Sequence, residues 1–219
     1  MLTKLKQKVQ QLLSSEARVA HSIGVTPNIA TIIGFVLSLF AAATYAVTTP
    51  QQPVWLIVAV ILLMASGFCD TLDGILARTY QQATAFGGFL DSLLDRYADA
   101  FVLAGIIMSG ASNVVSPAFS LAAGLAALVS SFMVSYSRSR AEAAGIRMES
   151  IGIAERPERI IILAASSLVA AIWLPALIIG VIIIAALATI TVLQRGLHIY
   201  KAIRGKESES PSAKTGIGP

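Results

Sequence analysis

The sequence predicts an all-α integral membrane protein with six transmembrane helices, preceded by an N-terminal amphipathic helix at the membrane interface. Three observations support this fold class. The 219 residues are 56% hydrophobic and 13% charged, with a mean hydropathy of +0.77, a composition typical of membrane proteins. Residues 19–69, 100–137 and 160–194 contain no Lys, Arg, Asp or Glu. Basic residues lie only at alternate ends of these apolar stretches, which is the usual pattern in multi-pass proteins.

Six spans can be assigned, because each needs about 20 mainly apolar residues to cross a bilayer. The first four cover residues 28–47, 54–78, 85–110 and 117–143. The uncharged stretch 160–194 is too long for one span. The sequence Trp-Leu-Pro at 173–175 divides it into a fifth and a sixth, because proline interrupts a helix.

The ends of the chain predict further parts of one membrane domain that covers residues 1–205. Residues 1–26 form its juxtamembrane segment, and residues 27–205 form the six-helix bundle. Near the N-terminus, apolar side chains share one helical stripe beside several lysines, which favours a helix on an anionic membrane surface; a helix that faces a partner or solvent remains an alternative. The segment 206–219 is rich in Ser, Lys, Glu, Pro and Gly and predicts a disordered cytoplasmic tail.

The positions of the basic residues predict the orientation. The loops near 48–53, 110–117 and 173–176 contain no Lys or Arg, and all 16 basic residues lie at the opposite ends of the spans. The positive-inside rule makes that side cytoplasmic, together with both termini. Because the positive charge follows the membrane boundary, the net charge of +4 does not indicate a nucleic-acid partner.

The most informative motif runs from Asp70 to Asp95, with the spacing D-x2-D-G-x2-A-R-x8-G-x3-D-x3-D. Asp70 and Asp73 are three residues apart, and Asp91 and Asp95 are four apart, so each pair shares one face of a helix. They lie at the cytoplasmic ends of the second and third predicted spans. Charged groups beside a membrane span are costly and usually functional.

Four converging carboxylates need countercharge, and an all-oxygen donor set favours Mg²⁺ or Mn²⁺. Two such ions about 3.5–4 Å apart would suit phosphoryl transfer. The small residues Gly74, Ala77 and Gly87 allow close helix packing and leave room for a phosphate, to which Arg78 would donate hydrogen bonds. The single cysteine, Cys69, is expected to be a packed thiol rather than a ligand.

This motif resembles the signature of the CDP-alcohol phosphotransferases, membrane enzymes that make phospholipids, and every fixed position is present. The resemblance implies a dimeric enzyme in which the aspartates bind two metal ions and Asp95 acts as the base. A metal-bound water as the base remains open. The resemblance also places the nucleotide near residues 26–28, for which helix capping is the alternative explanation. The residues expected to contact the CDP-linked lipid are Thr26, Pro27, Asn28, Thr31, Gly74, Ala77, Arg78 and Gly87.

Arginines are concentrated in the segment 136–159, and several guanidinium groups near a metal site indicate an acceptor that carries phosphate. The run SRSRAEAAG followed by ERPER resembles the branch of the family that uses inositol 1-phosphate, the phosphatidylinositol phosphate and archaetidylinositol phosphate synthases. The sequence Arg-Ser-Arg at 138–140, where Lys-Ala-Arg is expected more often in bacterial enzymes, leaves the lipid undecided between diacylglycerol and archaeal ether lipid. The residues expected to bind the acceptor phosphate are Arg138, Arg140, Arg156, Arg159 and Arg195.

The predicted function is metal-dependent transfer of a phosphatidyl-type group from a CDP-linked lipid to inositol 1-phosphate, with release of CMP, in phospholipid biosynthesis. The expected partners are these substrates, membrane lipid and a second copy of the chain. Glycerol 3-phosphate is the alternative acceptor. A cation transporter is the main non-enzyme alternative, and a purely structural protein is a third. An enzyme is favoured because the four aspartates of the motif lie at one end of their helices, so they form no path across the bilayer. One further carboxylate, Asp99, is expected to be an exposed or salt-bridged residue near Arg96.

Overall fold

A computed structural model describes residues 14–148 and 151–208. Within these residues the protein forms seven α-helices and one 3-10 helix, with no β-strand. The all-α class is therefore confirmed for this part of the chain. The helices are α1 (Ser14–Ser22), α2 (Pro27–Val47), α3 (Trp55–Thr79), α4 (Ala85–Met108), α5 (Pro117–Ala143), α6 (Arg156–Ala170) and α7 (Pro175–Ser208), and the 3-10 helix is Gly110–Ser112.

Four of these helices are long and apolar enough to cross a membrane: α2, α3, α5 and residues 175–204 of α7. They coincide with four of the six predicted spans. Helix α4 has 24 residues but carries the charges of the acidic motif, and α6 has only 15 residues. The count of six therefore remains a prediction. The break between α6 and α7 falls at residues 171–174, as expected from the proline at 175.

Helix starts near the acidic motif follow local capping signals. Thr26 Oγ1 accepts a hydrogen bond from the Ile29 amide (3.4 Å), and Pro27 lies in the first turn of α2. Thr84 Oγ1 accepts one from the Gly87 amide (2.9 Å) at the start of α4. Each hydroxyl satisfies an amide that has no partner within its helix. The predicted cap at Thr26 is thus confirmed.

Helix α2 packs against both α3 and α4, and glycines permit this close approach. A Cβ atom added to Gly34 would lie 3.1 Å from the Cβ of Cys69, so this cysteine packs on α2. A Cβ atom added to Gly105 would lie only 2.2 Å from the carbonyl oxygen of Ala42. Because α3 and α4 both pack on α2, the acidic residues at their neighbouring ends come close to each other.

Replacing Gly105 with alanine is expected to destabilise the protein by about 1–3 kcal/mol, because backbone atoms would have to move apart. Gly88→Ala is the matched control, since a Cβ atom there meets nothing within 4 Å. Thermal unfolding of the two purified variants in the same detergent measures the difference. Equal midpoints for both variants would contradict the close packing of α2 on α4.

Most of the predicted N-terminal amphipathic helix lies outside the described residues, and α1 contains its last part. Helix α1 packs on the end of α3, where Ala17 and Ala20 join a cluster with Leu76 and the ring of His21 stacks on Tyr80 with centroids 3.7 Å apart. The predicted tail also lies outside the described residues, except that 206–208 complete α7.

Candidate active site

Three carboxylates converge between α3 and α4. Asp70 lies on α3, and Asp91 and Asp95 lie one turn apart on α4. One oxygen atom from each side chain lies within 4.8 Å of the others. The spacing recognised in the sequence therefore produces a real cluster in space.

The fourth aspartate of the motif, Asp73, is buried and held by α2. Its Oδ2 atom accepts a hydrogen bond of 2.6 Å from the Oγ1 hydroxyl of Thr31. Asp73 still lines the same cleft as the other three aspartates. Thr31, which was expected to contact the CDP-linked lipid, here orients an acidic side chain.

Arg156, the first residue of α6, bridges the cluster. Its Nη1 atom lies 2.8 Å from Asp70 Oδ1 and 2.7 Å from Asp95 Oδ1. Its Nε atom lies 3.4 Å from Asp99 Oδ1. The side chain is 15% exposed, so these ion pairs are partly shielded from water and are stronger than exposed pairs.

Asp99 lies one turn beyond Asp95 and joins two arginines. Its Oδ2 atom is 2.6 Å from Nη2 of Arg159, whose Nη1 donates to the carbonyl oxygen of Ala154 at 3.1 Å. The expectation that Asp99 is salt-bridged is confirmed, but its partners are Arg156 and Arg159. Arg96 donates to the carbonyl oxygen of Ser92 instead.

The donor set of the cluster fits a hard divalent cation. The three side chains offer oxygen atoms only, which Mg²⁺ and Mn²⁺ prefer. The Oδ1 atom of Asp91 is buried and accepts no hydrogen bond from the described residues. A buried carboxylate oxygen without a partner is costly, and a bound cation would supply that partner.

The cluster forms one wall of a cleft that opens to solvent and has a volume of about 550 Å³. This volume is within the range of small-molecule binding pockets. A Cβ atom added to Gly74 would lie 3.3 Å from the Arg78 guanidinium, so the glycine leaves space for that arginine. The predicted site residues that line the cleft are Asp70, Asp73, Gly74, Arg78, Asp91, Asp95, Arg138, Arg156, Arg159 and Arg195.

The remaining predicted site residues do not line the cleft. Thr26 and Pro27 begin α2, and a Cβ atom added to Gly87 would lie 3.0 Å from Asn28 Oδ1, so the starts of α2 and α4 adjoin. Arg140 is exposed on α5. Two further predicted site residues, Thr31 and Ala77, do not line the cleft either. Thr31 lines a smaller pocket beside the cluster.

Arg195 is 1% exposed and connects three parts of the fold. Its Nε atom donates to the carbonyl oxygen of Ile151 (2.8 Å), Nη1 donates to that of Val134, and Nη2 lies 3.2 Å from Glu155 Oε1. A guanidinium group has five N–H donors, so two N–H groups remain beyond these three contacts.

Two glutamates that pair with arginines of the cleft were not predicted from the sequence. Glu155 pairs with Arg195, and Glu142 lies 2.9 Å from Nε of Arg138. The pair of Arg138 and Glu142 has a recognisable sequence signal, because residues four apart lie on the same face of a helix. The pair of Glu155 and Arg195 joins residues that are 40 positions apart and has no such local signal.

Comparison with known proteins places this site in a family. Residues 24–194 match the family model described as CDP-alcohol phosphatidyltransferase. The chain is 43% identical over 202 residues to the archaetidylinositol phosphate synthase of Pyrococcus horikoshii. This alignment covers 92% of this chain and 96% of the relative.

Two crystal structures of Mycobacterium tuberculosis phosphatidylinositol phosphate synthase are also similar. The structure with CDP-DAG bound has a TM-score of 0.73 and 30% identity, over 95% of this chain and 100% of the other. The structure in complex with manganese and citrate has a TM-score of 0.74 and 31% identity, over 94% of this chain and 93% of the other. Since the family model spans most of the chain and a relative is similar over nearly its whole length, the protein is a transferase that belongs to the CDP-alcohol phosphatidyltransferase family.

Proposed function

We propose that this protein transfers a phosphatidyl-type group from a CDP-linked lipid to the hydroxyl of inositol 1-phosphate and releases CMP. One observation carries the proposal: a three-carboxylate cluster and six arginines line the same cleft. The names of the similar archaeal and mycobacterial synthases support inositol phosphate as the acceptor.

The acidic residues hold the metal in this proposal. Asp70, Asp73, Asp91 and Asp95 bind two divalent ions, Mg²⁺ or Mn²⁺, and the manganese complex of the mycobacterial enzyme supports this assignment. When bound, the ions neutralise charge on the diphosphate and on the departing CMP. Thr31 keeps the Asp73 carboxylate in place through its 2.6 Å hydrogen bond.

The starts of α2 and α4 and the end of α3 receive the CDP-linked lipid. Arg78 donates hydrogen bonds to a diphosphate oxygen, and Gly74 leaves the space for its guanidinium. The CDP-DAG complex of the mycobacterial enzyme supports a CDP-linked lipid as donor. The other residues assigned to this substrate are Thr26, Pro27, Asn28, Thr31, Ala77 and Gly87.

Asp95 takes the proton from the acceptor hydroxyl as that oxygen attacks the phosphorus bonded to the lipid alcohol. The carboxylate lines the cleft beside Arg156, and its side chain is 25% exposed, so a substrate hydroxyl can reach it from the cleft. The bond to the CMP oxygen breaks on the opposite side of the phosphorus.

The arginines bind the phosphate of the acceptor. Arg138, Arg156, Arg159 and Arg195 line the cleft, and a guanidinium group forms paired hydrogen bonds to phosphate oxygens. Arg140 does not line the cleft, and from its exposed position on α5, two residues beyond Arg138, it adds positive charge.

The reaction takes place at the cytoplasmic surface of the cell membrane, in a homodimer whose subunits each have six spans and both termini in the cytoplasm. The four candidate spans and the basic residues beside the cleft support this arrangement. Helices α4 and α6 supply the two remaining spans, with membrane lipid around the bundle.

Cysteine labelling tests the orientation. The single cysteine, Cys69, is first replaced by alanine, and Gln51→Cys or Lys201→Cys is then added at exposed positions. A membrane-impermeant maleimide is expected to label position 51 in intact cells, and position 201 only after permeabilisation. Labelling of position 51 only from the cytosolic side would contradict the orientation.

An assay with alternative acceptors tests the chemistry. Purified protein with CDP-linked lipid and Mn²⁺ is expected to release CMP with inositol 1-phosphate, and mass analysis of the lipid product should show the added inositol phosphate. Free inositol and serine are expected to be poor acceptors, because the arginines would then lack their phosphate. Efficient turnover with glycerol 3-phosphate or serine but none with inositol 1-phosphate would exclude the proposed acceptor.

A further inference from the structure

Arg156 lies where a cation bound by the acidic cluster has to lie. Its Nη1 atom contacts both Asp70 Oδ1 and Asp95 Oδ1, at 2.8 and 2.7 Å. These side chains, together with Asp91, are the ones whose oxygen atoms converge. A metal ion coordinates carboxylate oxygens at about 2.0–2.6 Å, so the guanidinium nitrogen and the ion cannot occupy this position together.

We propose that Arg156 and the metal ion exchange places, so that metal binding releases Arg156 to bind the acceptor phosphate. The inference rests on the proposed function, since it takes the cluster as the metal site and the arginines as the phosphate site. It adds a coupling between the two sites: Arg156 neutralises Asp70 and Asp95 when no metal is bound, and becomes available to the phosphate when the metal replaces it.

Asp99 keeps the released arginine at the cleft. The Nε atom of Arg156 lies 3.4 Å from Asp99 Oδ1, and Asp99 is also held by Arg159 at 2.6 Å. Arg159 is itself fixed to the carbonyl oxygen of Ala154. The Nη1 end of Arg156 can therefore turn towards the other arginines of the cleft by side-chain rotation, while its Nε end stays beside Asp99.

The exchange couples the two sites. The metal must break two ion pairs to bind, and a phosphate that holds Arg156 in the cleft removes this competitor. By thermodynamic linkage, the acceptor phosphate tightens metal binding by the same factor by which the metal tightens phosphate binding. The cleft therefore favours having both ligands bound over having either alone.

Mn²⁺ titration of the purified full-length protein, followed by electron paramagnetic resonance of free Mn²⁺, tests the competition. Arg156→Gln is expected to tighten Mn²⁺ binding about tenfold, within the range of such couplings. The matched control is Arg138→Gln, an arginine of the same cleft that pairs with Glu142. It is expected to change Mn²⁺ affinity by less than about twofold, because its pair is exposed. Equal effects of the two variants would overturn the proposal.

A second measurement uses the unchanged protein and so does not depend on the folding of a variant. Phenylglyoxal modifies accessible guanidinium groups, and peptide mass analysis reports the rate at each arginine. Saturating Mn²⁺ is expected to speed modification of Arg156 and leave that of Arg138 unchanged, and inositol 1-phosphate should then protect Arg156. Slower modification of Arg156 with Mn²⁺ alone would overturn the exchange.

The two proposals fail in different ways. If the protein binds Mn²⁺ and releases CMP with inositol 1-phosphate, but Arg156→Gln binds Mn²⁺ no more tightly than the unchanged protein, only the exchange is wrong. If the protein neither binds Mn²⁺ nor releases CMP, the proposed function is wrong, and the exchange is then also wrong because it rests on that function.

Discussion

Replacing Asp95 with asparagine is expected to abolish measurable turnover. The amide cannot take up the proton of the acceptor hydroxyl, and loss of a positioned base slows a reaction by about 10²–10⁴-fold. Asp95 is also one of the three converging carboxylates, so its loss weakens metal binding as well. The release of CMP from CDP-linked lipid and inositol 1-phosphate measures the effect.

Binding of the CDP-linked lipid should persist in Asp95→Asn, because Asp70, Asp73 and Asp91 remain. The matched control is Asp99→Asn, one turn further along α4, which leaves the cluster intact and is expected to raise the KM for the acceptor more than it lowers kcat. Near-normal turnover of Asp95→Asn would remove this residue from the role of base.

The second large effect is expected for Asp70→Asn. Among the three converging aspartates, Asp70 alone lies on α3, so its neutralisation removes one side of the proposed metal site. Turnover should fall about a thousandfold, since several kcal/mol of transition-state stabilisation depend on the metal. CMP release and Mn²⁺ affinity, measured on the same preparation, report the loss.

Glu16→Gln is the control for the Asp70 variant, because it removes one negative charge from an exposed position on α1. It should leave both Mn²⁺ affinity and turnover unchanged. An Asp70→Asn variant that binds Mn²⁺ as tightly as the unchanged protein would show that the cluster is not the metal site.

Most of the fold could be predicted because apolar stretches and helix-breaking residues set the helix ends. The helices α2, α3 and α5 match predicted spans closely, and the proline at 175 marks the start of α7. The membrane assignment of α4 and α6 could not be settled in this way. One carries the charges of the acidic motif and the other has only 15 residues, so neither has the composition and length that identify a span by themselves.

Helical periodicity predicted the parts of the candidate site that lie within one helix. The spacing of Asp70 and Asp73 places both on one face of α3, and the spacing of Asp91 and Asp95 places both on one face of α4. The ion pairs of Asp99 with Arg156 and Arg159 join residues 57 and 60 positions apart. No local spacing reveals such contacts, because they depend on how α6 packs beside α4.

The burial of Arg195 could not be predicted from local sequence patterns either. Its partners are backbone carbonyl groups of residues 134 and 151 and the side chain of Glu155. A carbonyl acceptor leaves no mark in the sequence, since every residue carries one. The basic charge around the cleft is therefore recognisable from the sequence, whereas only the structure shows which of its arginines are held by backbone carbonyl groups.

The most direct test of the metal site is a crystal structure of the protein soaked in Mn²⁺, with data collected at the manganese absorption edge. We expect anomalous density between the carboxylates of Asp70, Asp91 and Asp95, with the guanidinium of Arg156 withdrawn from them. Density elsewhere, or none at these carboxylates in crystals of protein that is active with Mn²⁺, would contradict it.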